Sequence, residues 1–210
     1  KIIMVEYFVN GGPFMWPILI LLIAGLGISG ERFYSLIMSS TNTKEFFDDV
    51  IKSLDNDGID NTIELCNNTP GPVAEIFHAG LSRFHRGLRE VEKAVQDAGG
   101  LEMSFLEKNM IWMNAVITIA PMLGFTGTVA GMVNAFDAIA AANDISPAVV
   151  AGGISQALLT TAFGLIVAMI IQIFQNFFVS MIDKLILDME ENSVKFMDQL
   201  HLEYEKLAQG

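Results

Sequence analysis

The chain has 210 residues, of which 52% are hydrophobic and only 17% charged, and its formal net charge is −12. The acidic residues are interleaved with basic ones, as on solvated helices, so nucleic acid is not an expected partner. A single cysteine, Cys66, excludes an internal disulfide, and the three scattered histidines lack the spacing of metal ligands.

Three long stretches contain no Asp, Glu, Lys or Arg. They run from Tyr7 to Gly30, from Asn109 to Phe136 and from Ile145 to Ile182. Each is long enough for the ~20 residues that cross the hydrocarbon core of a membrane. The sequence therefore predicts an all-α polytopic membrane protein with three transmembrane helices and long cytoplasmic helical extensions. The first stretch is expected to remain a span, since it lacks the basic segment and the cleavage pattern of a signal peptide.

The positions of lysine and arginine predict the orientation of the spans. Of the 12 basic residues, all but Lys1 lie between the first two spans or after the third. The positive-inside rule puts both of these regions in the cytoplasm and the N-terminus outside. The predicted organisation is an outer segment at 1–13, a first span at 14–36, a cytoplasmic helical region at 37–108, a second span at 109–136, a short outer loop at 137–153, a third span at 154–180 and a cytoplasmic C-terminal helix at 181–210.

The first cytoplasmic region contains signals for a series of helices. Thr43 is a helix-start signal, and turns are expected at 56–58 and at 67–72, where Asn, Gly and Pro are grouped. A long helix opens at Leu88 and can run on into the second span. The third span is expected to continue as a helix beyond the membrane, because apolar residues recur at helical spacing after Ile182.

The second span carries a stripe of mostly small residues on one face. Steps of three and four along the helix align Pro121, Gly124, Thr128, Gly131 and Ala135. Small residues let helix backbones approach closely in a membrane, and Gly127 with Gly131 forms a GxxxG pattern. The stripe predicts a helix-packing face. Pro121 either kinks the span or leaves a free carbonyl that meets an ion or water.

The third span repeats this design with more polar residues. Its stripe covers about half the helical circumference and consists of Gln156, Ala157, Thr160, Thr161, Gly164, Ala168, Gln172 and Gln175. An amide that faced lipid would be costly, so the stripe is expected to face protein or a water-filled path. For the three threonines, two interpretations stay open: a bond to a carbonyl one turn back, or a role in an ion path. Gln156 likewise either links two helices or lines the path.

Two motifs carry a resemblance to a known family. The run from Pro121 to Met132 reads PMLGFTGTVAGM, and the run from Ile154 to Ala168 reads ISQALLTTAFGLIVA. Together they resemble the MotA/TolQ/ExbB proton-channel family, and three spans favour its ExbB/TolQ branch over the four-span MotA type. The likeness covers about Pro72 to Ala168, and the pair Glu31 and Arg32 at the cytoplasmic end of the first span is in keeping with it.

The resemblance implies a ring of these chains, a pentamer in the family, surrounded by membrane lipid in a bacterial inner membrane with the N-terminus in the periplasm. The ring would enclose an ExbD- or TolR-like single-span partner that carries one membrane Asp. Ion flow past that Asp would drive outer-membrane work through TonB or TolA. Thr128 and Thr161 match the threonines that face this Asp, and Thr160 and Gln156 belong to the same expected ion path. Gly164 and Ala168 join the glycines of the second span as expected packing residues.

One position departs from the family pattern. Many ExbB and TolQ members carry Glu where this chain has Gln156, and an amide cannot take up and release a proton at physiological pH. If that Glu is an obligatory relay, this chain does not conduct protons by that route. Alternatively the partner's Asp suffices, or Na⁺ is carried instead, for which the oxygens of Thr160 and Thr161 are suitable ligands. Protons are the expected ion, with Na⁺ as the alternative and no cofactor.

Other functions stay open. The chain is either an ExbB-like motor subunit for TonB-dependent transport, a TolQ-like subunit for envelope integrity, or a stator of another surface machine. A more distant hypothesis is a non-conducting membrane scaffold whose small-residue faces only assemble helices. The sequence contains no P-loop, zinc-ligand pattern or nucleophile elbow, so no catalytic residue and no enzyme activity are expected.

Overall fold

The computed structural model describes residues 2–39, 43–142 and 147–209, and the regular structure within these ranges is entirely helical. The helices are α1 (Ile2–Asn10), α2 (Met15–Ser39), α3 (Thr43–Asn56), α4 (Ile59–Asn68), α5 (Pro72–Leu81), α6 (Leu88–Leu106), α7 (Met110–Ala142) and α8 (Pro147–Gln209), with a 3₁₀ turn at Phe84–Arg86. Three helical stretches, which contain α2, α7 and α8, are long and apolar enough to cross a membrane. The predicted all-α fold with three candidate spans is confirmed.

The chain folds into two compact units. The apolar unit consists of Lys1–Arg32 and Asn109–Phe177, and the charged unit consists of Phe33–Lys108 and Phe178–Gly210. Helix α8 enters both units, because its 63 residues extend well beyond the ~20 needed for one crossing. The prediction that the third span continues as a helix is therefore confirmed.

The charged unit has a core of aromatic and aliphatic side chains. Phe77 of α5 is fully buried, and its ring stacks on Phe196 of α8 with the centroids 4.1 Å apart. On α3, Phe46 lies 5.8 Å from the ring of Phe77. Contacts of this kind remove apolar surface from water, which is the main force that holds such a unit together.

The turns of the charged unit depend on glycines with positive φ. Gly58 has a φ of 82° between α3 and α4, and Gly71 has a φ of 127° before α5. Glycine adopts this region without a steric penalty, so both turns are available to the chain. The predicted break at 56–58 is confirmed, whereas the predicted turn at 67–72 is narrower, because α4 continues through Asn68.

Two connections differ from the sequence prediction. A continuous helix from Leu88 into the second span is wrong: α6 ends at Leu106, and Asn109 adopts a left-handed φ of 67° just before α7. Asparagine tolerates this region better than most residues, so three polar residues suffice for a turn. The predicted loop at 137–153 is also mostly helical, since α7 runs to Ala142 and α8 begins at Pro147. Proline suits the first position of a helix. Residues 143–146 lie outside the described ranges, and the membrane side of this connection stays a prediction.

Candidate functional site

Helices α7 and α8 run antiparallel with their backbones in close contact. A Cβ atom built on Gly164 would lie 2.5 Å from the carbonyl oxygen of Ala120, and one built on Gly131 would lie 3.1 Å from the backbone nitrogen of Ala157. Any larger side chain at Gly164 would therefore push the two helices apart. The small-residue stripes of the second and third spans face each other within one chain.

The remaining residues expected at a packing face occupy the same region. A Cβ on Gly124 would lie 3.1 Å from the Cα of Thr161, and the side chain of Thr160 fills the space beside Gly127. Ala168 is buried, and α7 is helical through the half-buried Pro121. The backbones of α7 and α8 are thus close to each other along most of the small-residue stripe.

Thr128 and Thr161 meet across the α7–α8 contact. Their hydroxyl oxygens are within hydrogen-bonding distance, and either hydroxyl can be the donor. The hydroxyl of Thr161 also lies 3.1 Å from the carbonyl oxygen of Gly124. The hydroxyl of Thr128 lies 3.3 Å from the carbonyl oxygens of Gly124 and Ala157. Two hydroxyls and two carbonyls therefore converge between two spans that contain no charged residue.

Thr160 and Gln156 form a separate group of polar contacts, although the methyl group of Thr160 packs beside Gly127 of α7. Adjacent residues of a helix point about 100° apart, so Thr160 cannot share the direction of Thr161. The buried hydroxyl of Thr160 lies 2.8 Å from the carbonyl oxygen of Gly11 and 2.8 Å from that of Gln156. The amide of Gln156 occupies the space where Gly12 would carry a Cβ. The four residues predicted for one ion path are therefore divided into two groups.

The two interpretations of the threonines both describe part of the observed geometry. Thr128 and Thr160 each lie within hydrogen-bonding distance of a carbonyl one turn back in their own helix, as the packing interpretation expects. Each also has a partner outside its own helix, and within the described ranges the hydrogen bonds of the Thr161 hydroxyl all cross to α7. Their role in ion movement stays a prediction.

Glu31 and Arg32 connect the end of the first span to the start of the second. Arg32 is only 1% exposed, and its guanidinium donates from Nε to Oε2 of Glu31 at 2.7 Å and from Nη2 to Oε1 at 2.5 Å. The side-chain amide of Asn109 donates to Oε2 of the same carboxylate at 3.2 Å. A buried guanidinium is tolerated only when it is paired, which explains the adjacent acid.

Two further amides of the predicted stripe lie toward the C-terminal end of the third span. The Nε2 of Gln172 donates to Oδ1 of Asn176 at 2.8 Å on the exposed side. The Oε1 of Gln175 is buried and has no hydrogen-bond partner within the part of the chain that the structure describes. A buried acceptor without a donor is costly, so this oxygen is suited to a donor from outside the chain.

The chemistry of the site is set by neutral oxygen atoms. Hydroxyls can pass a proton along hydrogen bonds, and hydroxyl and carbonyl oxygens can both bind a hard cation. Neither group gains or loses a proton near pH 7. Within the described ranges, no group of three His, Cys, Asp or Glu side chains is placed to hold a metal ion. Among the described residues, the contacts of Thr128 and Thr161 are with hydroxyl and carbonyl oxygens and include no ionisable side chain.

Three residues of this region were missed by sequence reasoning. Gly11 and Gly12 contact α8, and Asn109 joins the ion pair of Glu31 and Arg32. The Gly-Gly-Pro run after a short apolar segment is a turn signal, so the loop itself was predictable. Its contact with α8 was not, because nothing in the local sequence specifies a partner far along the chain.

Fold and site together define a helical membrane protein with an oxygen-lined contact between two charge-free spans. Residues 68–191, more than half of the chain, match the model of the MotA/TolQ/ExbB proton channel family. The chain belongs to this family, and the resemblance seen in its two motifs is confirmed.

Individual relatives fall in the ExbB and TolQ groups. The chain is 32% identical over 184 residues to a protein of Methanothermobacter thermautotrophicus named as a homolog of the biopolymer transport protein ExbB, which covers 85% of this chain and 63% of that protein. It is 27% identical over 173 residues to an ExbB-like protein of Synechocystis, with 81% and 82% covered. The Tol-Pal system protein TolQ of Pseudomonas aeruginosa is 34% identical over 108 residues, 46% of each chain. The chain thus spans less than two thirds of the first of these relatives.

Proposed function

We propose that this chain is the ring-forming subunit of an ion-driven motor in a bacterial inner membrane, similar to ExbB. The contact of Thr128 with Thr161, between two spans that contain no charged residue, is the observation that carries the proposal. These hydroxyls can form hydrogen bonds or ligand contacts with a moving ion. In this proposal, the carboxylate that takes up and releases the ion belongs to the partner protein. Membership in a proton channel family supports the same function.

The proposed partner is a single-span ExbD- or TolR-like protein with one Asp in the membrane. Several copies of this chain, a pentamer in the proposal, surround it, with the N-terminus in the periplasm and the C-terminus in the cytoplasm. The charge asymmetry of the sequence supports that orientation. Work passes to a TonB- or TolA-like protein at the outer membrane, and this chain has no catalytic step of its own.

The energetics favour several ions for each work stroke. One charge that crosses ~100 mV yields about 2.3 kcal/mol. Unfolding a domain at the outer membrane costs roughly 5 to 15 kcal/mol. A ring of identical subunits can pass several ions one after another. Their combined energy can then reach the cost of unfolding a domain. H⁺ is the proposed ion, with Na⁺ as the alternative because Gln156 offers an amide in place of an acid.

Two alternatives rest on particular observations. The match to TolQ over 108 residues favours a role in envelope integrity, and the identity of the neighbouring partner gene would distinguish that role from nutrient transport. The close glycine contacts between α7 and α8 favour a scaffold that only assembles helices. The scaffold predicts normal function when the hydroxyls of Thr128 and Thr161 are removed and the packing is kept.

The test is ion flux in liposomes that contain this chain together with its single-span partner, under H⁺ and Na⁺ gradients. Thr128→Val and Thr161→Val keep the side-chain shape and remove the hydroxyl, so we expect flux to fall by at least about tenfold, as is typical for the loss of one positioned polar group. Changing the partner's membrane Asp to Asn should abolish flux.

Thr126→Val is the matched control. Its hydroxyl is exposed and bonds only to the carbonyl oxygen of Met122 in its own helix, at 2.8 Å. Flux should therefore stay normal in this variant. Normal flux in Thr128→Val and Thr161→Val, in complexes that assemble fully, would support the scaffold and reject the motor.

A further inference from the structure

The loop between α1 and α2, residues 11–14, is attached to the third span. The carbonyl oxygen of Gly11 accepts a hydrogen bond from the Thr160 hydroxyl at 2.8 Å, across a separation of 149 residues. Thr160 has no exposed surface, so water does not compete for this bond, although its single hydroxyl proton is shared with the carbonyl oxygen of Gln156, also at 2.8 Å. Thr160, which makes this attachment, directly precedes Thr161, whose hydroxyl pairs with that of Thr128.

The same loop fixes the side chain of Gln156. Gly12 has a φ of 79°, a region that residues with a Cβ seldom adopt. A Cβ at this position would overlap Nε2 of Gln156 and would lie 2.9 Å from its Cδ. Only glycine therefore allows the amide to lie against the loop. Gln156 and Thr160 are one helical turn apart, so the loop holds a continuous strip of α8.

The helix that precedes the loop is loosely packed. A cleft of about 280 Å³ lies beside Val5 and Phe8 of α1, and its other walls include Phe163 and Val167 of α8. The side chains of Val5 and Val9 are 64% and 69% exposed. Since most of the described side chains of α1, those of Val5 to Asn10, are exposed, we expect the polar attachment to α8 to restrain the loop more than the packing of these side chains does.

We propose that this loop is a latch on the ion path. In the closed arrangement the loop engages the Thr160 hydroxyl and the Gln156 amide, so that neither contacts the hydroxyls of Thr128 and Thr161. Release of the bond between Gly11 and Thr160 frees Gln156 to turn toward that pair and complete the path. The inference rests on the proposed function and adds a regulatory element to the same site.

The test removes the attachment and follows the loop and the ions separately. Thr160→Val deletes the hydroxyl at nearly constant shape, whereas Thr160→Ser retains it. In the complex with the single-span partner, hydrogen–deuterium exchange of the backbone amides of residues 11, 12 and 14–16 should become roughly fivefold faster in Thr160→Val, as expected for the loss of one hydrogen bond. Resting ion flux should rise by a similar factor. Thr160→Ser should restore both values, and the control Thr126→Val should change neither.

A second variant perturbs the latch from the loop side. Gly12→Ala displaces the Gln156 amide and leaves every hydroxyl in place. It should also speed the exchange of the loop and raise the resting flux, and it replaces Thr160→Val if that variant fails to assemble. Agreement between the two variants would show that the attachment itself, and not the chemistry of Thr160, restrains the path.

Specific outcomes would overturn the latch. Unchanged loop exchange in both variants would show that the bond does not hold the loop, and faster exchange with unchanged or lower flux would show that the loop does not control the path. Extra flux that persists when the partner's membrane Asp is Asn would be a leak outside the path, which also overturns the latch. The motor proposal fails on a different result, namely flux in the unmodified complex that does not need that Asp.

Discussion

The apolar unit and the charged unit differ in where their aromatic rings lie. In the charged unit, Phe77 and Phe196 have no exposed surface and stack on each other at the centre. In the apolar unit, Phe125 of α7 is 67% exposed, whereas Gly124 and Gly164 lie at the contact with the neighbouring helix. Buried rings fill the core of the charged unit, whereas the α7–α8 contact of the apolar unit depends on glycines, which have no side chain.

The difference follows from the surroundings of each unit. Water expels apolar surface, so a unit in water is stabilised when large apolar residues lie inside. Lipid tails are as apolar as leucine and provide no such force, so helices in a membrane associate through close van der Waals contact and hydrogen bonds. Among the described residues, fully buried aromatic rings are therefore found in the charged unit, and close glycine contacts between membrane helices in the apolar unit.

The largest expected effect comes from one substitution made in both units. Phe196→Ala should lower the free energy of unfolding of the charged unit by about 3–5 kcal/mol, because a fully buried ring is lost. Phe125→Ala should change the stability of the apolar unit by less than about 0.5 kcal/mol, as for other surface positions. Denaturant titration in detergent, followed by helical circular dichroism and proteolysis, measures both. Equal losses of unfolding free energy in the two variants would contradict the prediction that the ring of Phe196 stabilises its unit and the ring of Phe125 does not.

Glycine substitutions should give effects of opposite sign in the two units. Gly164→Ala should cost about 1–3 kcal/mol, because its Cβ would lie 2.5 Å from the backbone oxygen of Ala120. Gly100→Ala in α6 should stabilise the charged unit by about 0.5–1 kcal/mol, because alanine favours a helix more than glycine does. The added Cβ would meet no atom within 4 Å beyond its own stretch of helix backbone. The same titration serves both variants. Destabilisation by Gly100→Ala would mean that another molecule contacts this glycine.

A smaller effect concerns the alkaline stability of the charged unit. Burial raises the pKa of the Cys66 thiol from 9.0 to about 12. Between these values the unfolded chain loses the thiol proton and the folded chain keeps it, so stability is full below about pH 9 and falls as the pH rises toward 12. Cys66→Ala should remove this contribution to the loss of unfolding free energy at alkaline pH. Denaturant titration at several pH values measures the effect. Rapid alkylation of the native thiol at pH 8 would show instead that Cys66 is accessible.

Periodicity explains which parts of the fold were predictable. The three spans, the small-residue faces of α7 and α8 and the continuation of α8 all follow from repeats within a single helix. The break between α6 and α7 was not predictable from periodicity. The residues on both sides favour a helix, and a single residue with left-handed φ, Asn109, is enough to interrupt it. The helical course of most of 137–153 was also missed, since this segment was taken as the loop that connects the second and third spans.

The sequence by itself determined that Thr128 and Thr161 lie on small-residue faces of two membrane helices. It also determined that no carboxylate of this chain lies in those spans. Only the tertiary structure decided that the two hydroxyls meet each other, and that Thr160 and Gln156 are held by Gly11 and Gly12 instead. The physical reason is that helical spacing fixes the direction of each side chain about its own axis. Which neighbour lies in that direction depends on chain segments far away in sequence.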